Sequence, residues 1–428
     1  MLEATRRGEV RPLPENEAEF LRVLRTAALS SVNLRTGAAA HGLTQTELEQ
    51  QMSVSRPSIV NLLRHFRPVL IEQRSEGSRG ARIALDPGAG VAVGVHIGRA
   101  ELAVVLADLY GRILPVTTPP DYERSAERTL GDADATLDWI ARAIAQRLAE
   151  VGRSREEVIG VGIALGGPVD RERGVLRAPL DATGAGSDWE LLSVRDELPR
   201  RLGWEDVPFL LDNDANLSAL AEYTWGAARP TEGRNYRNVL YVEWSHGIGA
   251  GLILGGELYR GAGVAGELGH AVVSADGPAC PQCGHGGCLE ALIGWPALAR
   301  QLEADSLEGA LSQARAGEGR ARAAFAAAAE QLAQALGPLI SVLNPGLVLI
   351  GGTVGQLGYD VVRPTLLQAL KRLTMRPALQ DVELAAATLP TRAALQGALA
   401  LVLRAPRHDP DPLLAYLQRS ARSLSAQT

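Results

Sequence analysis

Cysteine is scarce in this 428-residue chain: there are three, and Cys280, Cys283 and Cys288 all fall within nine consecutive positions. Three thiols cannot pair without leaving one over, and nothing near Met1 reads as a signal peptide, so a disulfide-stapled secreted fold is not expected. Long apolar runs are missing as well. The strongest candidate, Val91 to Leu106, is interrupted by His96, Arg99 and Glu101 and falls short of the roughly 18 to 20 apolar residues that span a bilayer. A cytoplasmic protein with no membrane partner is expected. Lysine is nearly absent, with Lys371 alone among 43 basic residues. The abundance of Ala, Arg and Gly marks this as GC-rich coding bias rather than a phosphate-binding specialisation. No internal repeat shows in a chain long enough for two or three domains, and its 46% apolar content is that of an ordinary globular protein.

Charge is present but unevenly placed. The whole chain carries a formal net charge of −6, yet residues 1 to 86 are net basic, which hints at a polyanion-binding module joined to something else. Residues 1 to 15 are charged, proline-containing and aperiodic, as expected of a poorly ordered arm. Phe20, Leu21, Leu24, Ala27 and Ala28 then recur at helical spacing. Thr44 stands three residues before Glu47, a capping-box pattern that predicts a helix from about Gln45 to Met52. A tight turn at Ser53-Val54 follows. Ser55, as a cap, predicts the next helix from Arg56 to about Phe66, with Pro57 in its first turn.

Two short helices around a tight turn make a helix-turn-helix. On the second, Ile59, Val60, Leu62 and Leu63 are expected to face inward. That leaves Ser55, Arg56, Ser58, Asn61 and Arg64 to meet base edges and phosphates, with Thr44 beside them. Val69 to Ile71 and Arg82 to Leu85 read as two strands of a wing whose tip can lay Arg79 and Arg82 in a minor groove. A winged helix-turn-helix over residues 1 to 86, with double-stranded operator DNA as partner, is therefore expected.

The cysteines follow His270 in the pattern His-x9-Cys-x2-Cys-x4-Cys. Four soft or borderline ligands on a short glycine-rich connection suit a closed, tetrahedral Cys3His zinc site, which clamps a loop and leaves no open position for chemistry. The stretch around them, Gly266-Glu267-Leu268-Gly269-His270 before and Cys288-Leu289-Glu290 after, resembles the signature of the ROK family, named for repressors, open reading frames and sugar kinases. The resemblance implies an α/β chain with a bilobal, actin-like domain over residues 87 to 428, lobe 1 comprising about 87–211 plus 386–405 and lobe 2 about 212–385. It also implies that His270 shares in holding the zinc while Glu267 and Glu290 reach sugar hydroxyls.

Further stretches resemble the same family in order. Residues 158 to 165, VIGVGIAL, form a buried strand before Gly166-Gly167-Pro168-Val169-Asp170, which is similar to the family's Pro-Gly-Pro-Val-Asp turn. Residues 179 to 189 lie near the sugar pocket by the same resemblance. In the family's kinases the aspartate matching Asp214 takes a proton from the attacking sugar hydroxyl, and the asparagine matching Asn213 holds the sugar. The two phosphate loops depart from the pattern. Where kinases resemble Asp-x-Gly-Gly-Thr, this chain has His96-Ile97-Gly98-Arg99-Ala100; where they resemble Gly-Thr-Gly-Ile-Gly-x-Gly, it has Ser245-His246-Gly247-Ile248-Gly249-Ala250-Gly251. An acid that would support magnesium is gone and an arginine crowds the backbone cradle. No catalytic residue is assigned, Asp214 being vestigial. The expected function is a sugar-responsive transcriptional regulator, a repressor, working as a homodimer or homotetramer with Asn213, Asp214, Glu267, His270 and Glu290 as sugar contacts. The alternative is an ATP-dependent hexose kinase with an appended DNA-binding domain, which Asp214 keeps open.

Overall fold

A computed structural model describes residues 15–31, 42–73, 81–98, 102–116, 132–177, 189, 192–231, 233–389, 392–404 and 411–425. Helix α1 (Glu15–Ser31) buries Phe20, Leu21, Leu24 and Ala28 along one face. Helix α2 (Gln45–Met52) starts at the expected capping box: the Glu47 N–H donates to Thr44 Oγ1 at 3.2 Å, and the Thr44 N–H to Glu47 Oε2 at 2.7 Å. Ser53 then turns the chain in the left-handed region, and α3 (Arg56–His65) follows. Ser55 does not cap it with its side chain. Its hydroxyl instead meets that of Ser58 at 3.0 Å. Strands β1 (Leu70–Gln73) and β2 (Arg82–Leu85) pair antiparallel, and Leu43 bridges Ile83 on the other side of β2. This is a helix-turn-helix with a two-stranded wing. Val60, expected inside, is 38% exposed. The buried edge of α3 is set by Ile59 and Leu62, and at 3.6 residues per turn Val60 falls off it.

The first lobe begins with the hairpin β3 (Val91–Ile97) and β4 (Leu102–Ala107). It continues through α4 (Ala133–Glu150), β5 (Val158–Leu165), the short pair β6 (Val169–Asp170) and β7 (Val175–Leu176), α5 (Val194–Leu202) and β8 (Phe209–Asn213). Its sheet runs β4-β3-β5-β8, with β3, β5 and β8 parallel and β4 antiparallel at the edge. Every residue of β5 is buried, as befits a parallel strand covered on both faces.

Helix α6 (Asp214–Trp225) carries the chain to the second lobe. There β9 (Val239–Trp244), β10 (Ile248–Leu254) and β11 (Glu257–Tyr259) form a meander that turns at Gly255-Gly256, both with positive φ. After α7 (Leu289–Ile293), α8 (Trp295–Leu302), α9 (Leu307–Ala316) and α10 (Gly319–Leu343) comes β12 (Leu347–Gly351). Then follow α11 (Gly352–Leu357), α12 (Tyr359–Leu373), α13 (Arg376–Gln380) and β13 (Glu383–Ala386). The second sheet runs β11-β10-β9-β12-β13, with β12 parallel to both neighbours. Helix α14 (Ala393–Arg404) returns to the first lobe and packs on β3, β5 and α6. Among the described residues no helix is long and apolar enough to cross a membrane.

The last helix, α15 (Pro412–Ser425), has no counterpart in the sequence reading. It packs on α1 and on the 3-10 turn Arg67–Val69 of the head. One buried apolar cluster runs from Phe20, Leu24 and Leu48 through Leu85 and Tyr110 to Trp225, Leu399 and Leu417. Polar ties cross the same seam: Tyr110 Oη donates to the Leu85 carbonyl at 2.6 Å, Tyr416 Oη to that of Ala89 at 2.7 Å, and Arg25 pairs with Asp411 at 2.6 Å. The boundary expected between residues 86 and 87 falls at a 3-10 turn, Pro87–Ala89, whose Ala89 packs against this one cluster.

Helix α14 approaches its neighbours closely because glycine lies at each contact. A Cβ on Gly162 would overlap the Ala398 carbonyl oxygen, and one on Gly397 would overlap that of Leu217. Gly397→Ala should therefore lower the urea midpoint by an amount equivalent to about 1–3 kcal/mol or more of overpacking, with the denaturant slope unchanged. An unchanged midpoint would mean that α14 and α6 do not touch this closely.

Candidate functional site

The central strands of both sheets end at one cleft, where open α/β sheets hold their ligands. Its cavity of about 660 Å³ is lined by Asn213, Asp214, Glu267, His270 and Glu290, so the five residues selected from sequence as sugar contacts are brought together.

Asn213 and Asp214 owe their position to the start of α6. The helix begins at Asp214 because Asn213 caps it: its Oδ1 accepts the N–H groups of Ala215 and Asn216 at 2.9 and 3.1 Å. Asn213 Nδ2 donates to the Gly167 carbonyl at 2.9 Å and to Asp214 Oδ1 at 3.1 Å, which ties the helix to the Gly-Gly-Pro turn after β5. Behind them stands Asp212, which the sequence reading did not single out. One of its oxygens accepts from the Asn213 N–H and from Asn216 Nδ2; the other pairs with Arg260 at 2.6 Å and with Arg171 at 3.4 Å. Asp212 is buried, so removing either arginine leaves a charge poorly compensated.

The two glutamates are set by the cysteine cluster. Glu267 opens the 3-10 turn Leu268–His270, and Cys288 is the residue before α7, whose first turn holds Glu290. Glu290 Oε2 accepts the Ile248 N–H at 2.9 Å, which links it to the glycine loop between β9 and β10. Gly266, at φ +98°, lets the turn cross the Ala250 carbonyl, where a Cβ would collide.

The ligand atoms of His270, Cys280, Cys283 and Cys288 lie within 4.8 Å of one another. His270 Nδ1 is 3.7 Å from Cys280 Sγ, and Cys283 Sγ is 3.4 Å from Cys288 Sγ. A tetrahedral ion with bonds of about 2.0–2.3 Å needs ligand atoms roughly 3.5–3.8 Å apart, so the four residues could hold a metal after side-chain shifts of about an ångström. Burial pushes both thiols of the close pair up. At Cys283, hydrogen bonds from the His285 backbone and from Cys288 overcome it and bring the thiol down to about 6; Cys288, beside that charge, rises to about 12. One thiolate, the form that takes a metal, is available near neutral pH.

The other half of the cleft is where a nucleotide would lie in a kinase. His96 lines it, and burial pushes its imidazole from an ordinary 6.5 down to about 4, so it is neutral at pH 7. Across from it, Glu243 at the end of β9 accepts the hydroxyls of Tyr241 and Ser245, each at 2.6 Å, and Ser245 Oγ accepts the Thr353 N–H at 3.0 Å. Burial raises the Glu243 carboxyl while the two hydroxyl donors oppose that rise. This network closes against the Gly351-Gly352 turn, where a Cβ on Gly352 would meet both Glu243 and Ser245. Arg99 and Ala100 lie outside the described residues, as do residues 179 to 188.

The ROK family profile matches residues 92–405, well over half of the sequence. The chain belongs to the ROK family. Among its relatives, the xylose repressor of Bacillus subtilis strain 168 is 30% identical over 232 residues; this covers 54% of the chain and only about half, 55%, of the repressor's own length. A crystal structure of a ROK family transcriptional regulator, homologous to the E. coli MLC protein, superposes over 94% of this chain and 100% of that one, with a TM-score of 0.71 at 21% identity. A ROK glucokinase from Streptomyces griseus, solved with glucose and AMPPNP, superposes over 73% of this chain and 99% of its own, with a TM-score of 0.59 at 28% identity.

In the head of this ROK protein the sequence-selected residues divide. Arg56, Asn61 and Arg64 are exposed along α3, and Val60 joins them. Thr44 and Arg82 are engaged within the head: Arg82 Nε donates to the Gly42 carbonyl at 2.7 Å, and its guanidinium pairs with Glu47 at 3.2 Å, bracing the capping box. Ser55 and Ser58 face each other. Arg79 lies outside the described residues.

His96 carries a pH signature. Between about 6.5 and about 4 the unfolded chain takes up a proton that the buried imidazole refuses. Its contribution is therefore complete above pH 6.5 and is lost progressively toward pH 4, by on the order of 3 kcal/mol. His96→Leu should flatten that part of the stability curve, read from urea midpoints at a series of pH values. Parallel curves for the two proteins would contradict this assignment.

Proposed function

We propose that the chain is a sugar-responsive, DNA-binding transcriptional regulator acting as a repressor in the cytoplasm, with a structural zinc ion at His270, Cys280, Cys283 and Cys288. The observation that carries this reading is α6. Its first turn presents Asn213 and Asp214 to the cavity, and Trp225 at its other end is buried in the apolar cluster that also contains Phe20, Leu48 and Leu85 of the head. A sugar that prefers one arrangement of the two lobes thus bears on a helix that also supports the DNA-reading module, and differential affinity for two states is what such regulation requires. His270 Nδ1 faces the sulfurs, so Nε2 is left for the cavity that the ring lines, where it joins Glu267 and Glu290 as a donor or acceptor to sugar hydroxyls. On DNA, Arg56, Asn61 and Arg64 supply base and phosphate contacts. A two-fold dimer would set the two copies of α3 about 34 Å apart, one helical turn, on a near-palindromic operator.

A second reading, sugar kinase, is favoured by Asp214 in the cavity and by the likeness to the glucokinase structure. Against it stand a neutral His96 where a magnesium-supporting acid is needed and the Glu243-Ser245-Thr353 network at the phosphate side. Magnesium prefers hard oxygen ligands to imidazole.

Gel-shift titration against promoter DNA should give salt-sensitive, sequence-selective binding that an effective sugar weakens, while Asn61→Ala and Arg64→Ala reduce affinity roughly tenfold or more. The same protein incubated with a panel of hexoses, Mg²⁺ and ATP should release no ADP. Turnover abolished by Asp214→Asn would establish the kinase instead. Cys283→Ser should lose bound zinc, measured by atomic absorption, and with it sugar-dependent thermal stabilisation, because one cluster fixes both Glu267 and Glu290. Full zinc occupancy in that variant would contradict the metal assignment.

A further inference from the structure

We infer that Val60 is a specificity-determining residue of the reading head: its methyl groups pack on the C5-methyl of a thymine in each operator half-site, beside the base that Asn61 reads. This inference rests on the DNA-binding reading of the head and sharpens it to a single base. Helix α3 turns by about 100° per residue. Ile59 and Leu62, with Phe66 just after the helix, therefore fall on one side, and Pro57, Val60, Asn61 and Arg64 on the other. Burial follows that division: the first three are buried and the other four are exposed. Val60 is the one exposed large hydrophobic side chain among the described residues of the head. It stands midway along the outward face, with Asn61 beside it and Arg64 one turn further on.

The surroundings of Val60 say what covers it. Helix α3 contains Arg56, Arg64 and His65 and no carboxylate; the acid that Arg56 meets, at 3.9 Å, is Glu49 on α2. A protein partner held by the hydrophobic effect calls for a broad apolar patch, and one valine between an amide and two guanidinium groups is not that. The major groove of DNA fits it: a polyanionic surface on which thymine shows a methyl group beside its hydrogen-bonding edge. Consecutive Cα atoms lie about 3.8 Å apart, close to the step of about 3.4 Å between base pairs. Val60 and Asn61 thus reach neighbouring pairs, and the asparagine amide matches adenine N6 and N7. Valine also suits the task by its stiffness. Its χ1 angle keeps one strongly preferred rotamer in a helix, so little side-chain entropy is lost when its methyl groups meet a base.

The test starts from the duplex that the full-length protein enriches from a randomised DNA library. Replacing each dT in turn by dU removes one methyl group and leaves every hydrogen-bonding group in place. At one thymine per half-site, next to an A·T pair, dU should weaken binding about fourfold, the worth of one buried methyl group at ~0.8 kcal/mol, and about fifteenfold when both half-sites are changed. Val60→Ala should bind the dT and dU duplexes alike. Alanine is the better helix former and Val60 faces solvent, so the variant keeps its fold, which an unchanged urea midpoint verifies. The dU series on the unaltered protein stands independently of that variant. An enriched duplex on which dU costs nothing at any position, or costs Val60→Ala as much as the unaltered protein, overturns this inference and leaves DNA binding standing. A library from which nothing is enriched at low salt overturns the DNA-binding reading itself, and this inference with it.

Discussion

The architecture hangs on a helix with no free face. Apart from Asp214, α6 is buried along its whole length; α14 and β10 pack against it, and α1 of the head reaches it as well. A helix so enclosed cannot satisfy its own ends with water, and each terminus must find partners in the protein. Asn213 does this at the start and in doing so becomes part of the cavity wall. At the far end the Glu222 carbonyl accepts the N–H groups of Gly226 and Ala228 at 3.0 and 3.2 Å, and its fully buried carboxylate accepts the Ala227 N–H and, across the interlobe connection, those of Thr388 and Leu389 at 2.8 and 2.6 Å. Burial raises the Glu222 carboxyl, and the three N–H groups that it accepts hold it back. Movement of the lobes must therefore be accommodated around α6 rather than through bending it.

The cavity itself is built from loops, which by themselves would be poor instruments for placing carboxylates. Two devices replace regular structure there. The cysteine cluster joins His270 to Cys288 across seventeen intervening residues, and backbone bridges from Val272 to Cys288 and from Ala279 to Gly286 make the excursion between them a small knot of its own. Asp212 is the second device. It hydrogen-bonds the backbone and side chains that present Asn213 while anchoring Arg260 from the segment after β11, so the strand, the helix and the loop are fixed relative to one another. The spacing of the groups that line the cavity depends on both.

The parts of this design that are local in sequence were readable. Thr44 and Glu47 are three residues apart and declare a helix start; VIGVGIAL declares a doubly covered strand; and the cysteine spacing with its flanking glutamates declares a cluster able to hold a metal, and a family. What escaped is what depends on distance. The pair Asp212 and Arg260 is separated by 48 positions, and no periodicity links them. Glu243 looks like an ordinary polar residue near the end of an apolar strand, and only the fold brings it to Thr353 and opposite His96. Val60 was misjudged because four apolar residues on a ten-residue helix cannot all reach a core that meets only one edge. Arg82 had the charge expected of a DNA contact, but its neighbour in space is Glu47, and pairing with it is the nearer way to satisfy a half-buried guanidinium.

The seam between head and lobe has a temporal side. Arg25 and Asp411, which pair across it, are 386 positions apart, and Tyr416 and Leu417, which follow Asp411, complete the apolar cluster that Tyr110 shares. A nascent chain can form α2 and α3 long before that, since their contacts are local, but their foundation stays open until α15 is made. Translation thus leaves the base of the head unfinished until the two lobes that lie between in the chain have been made.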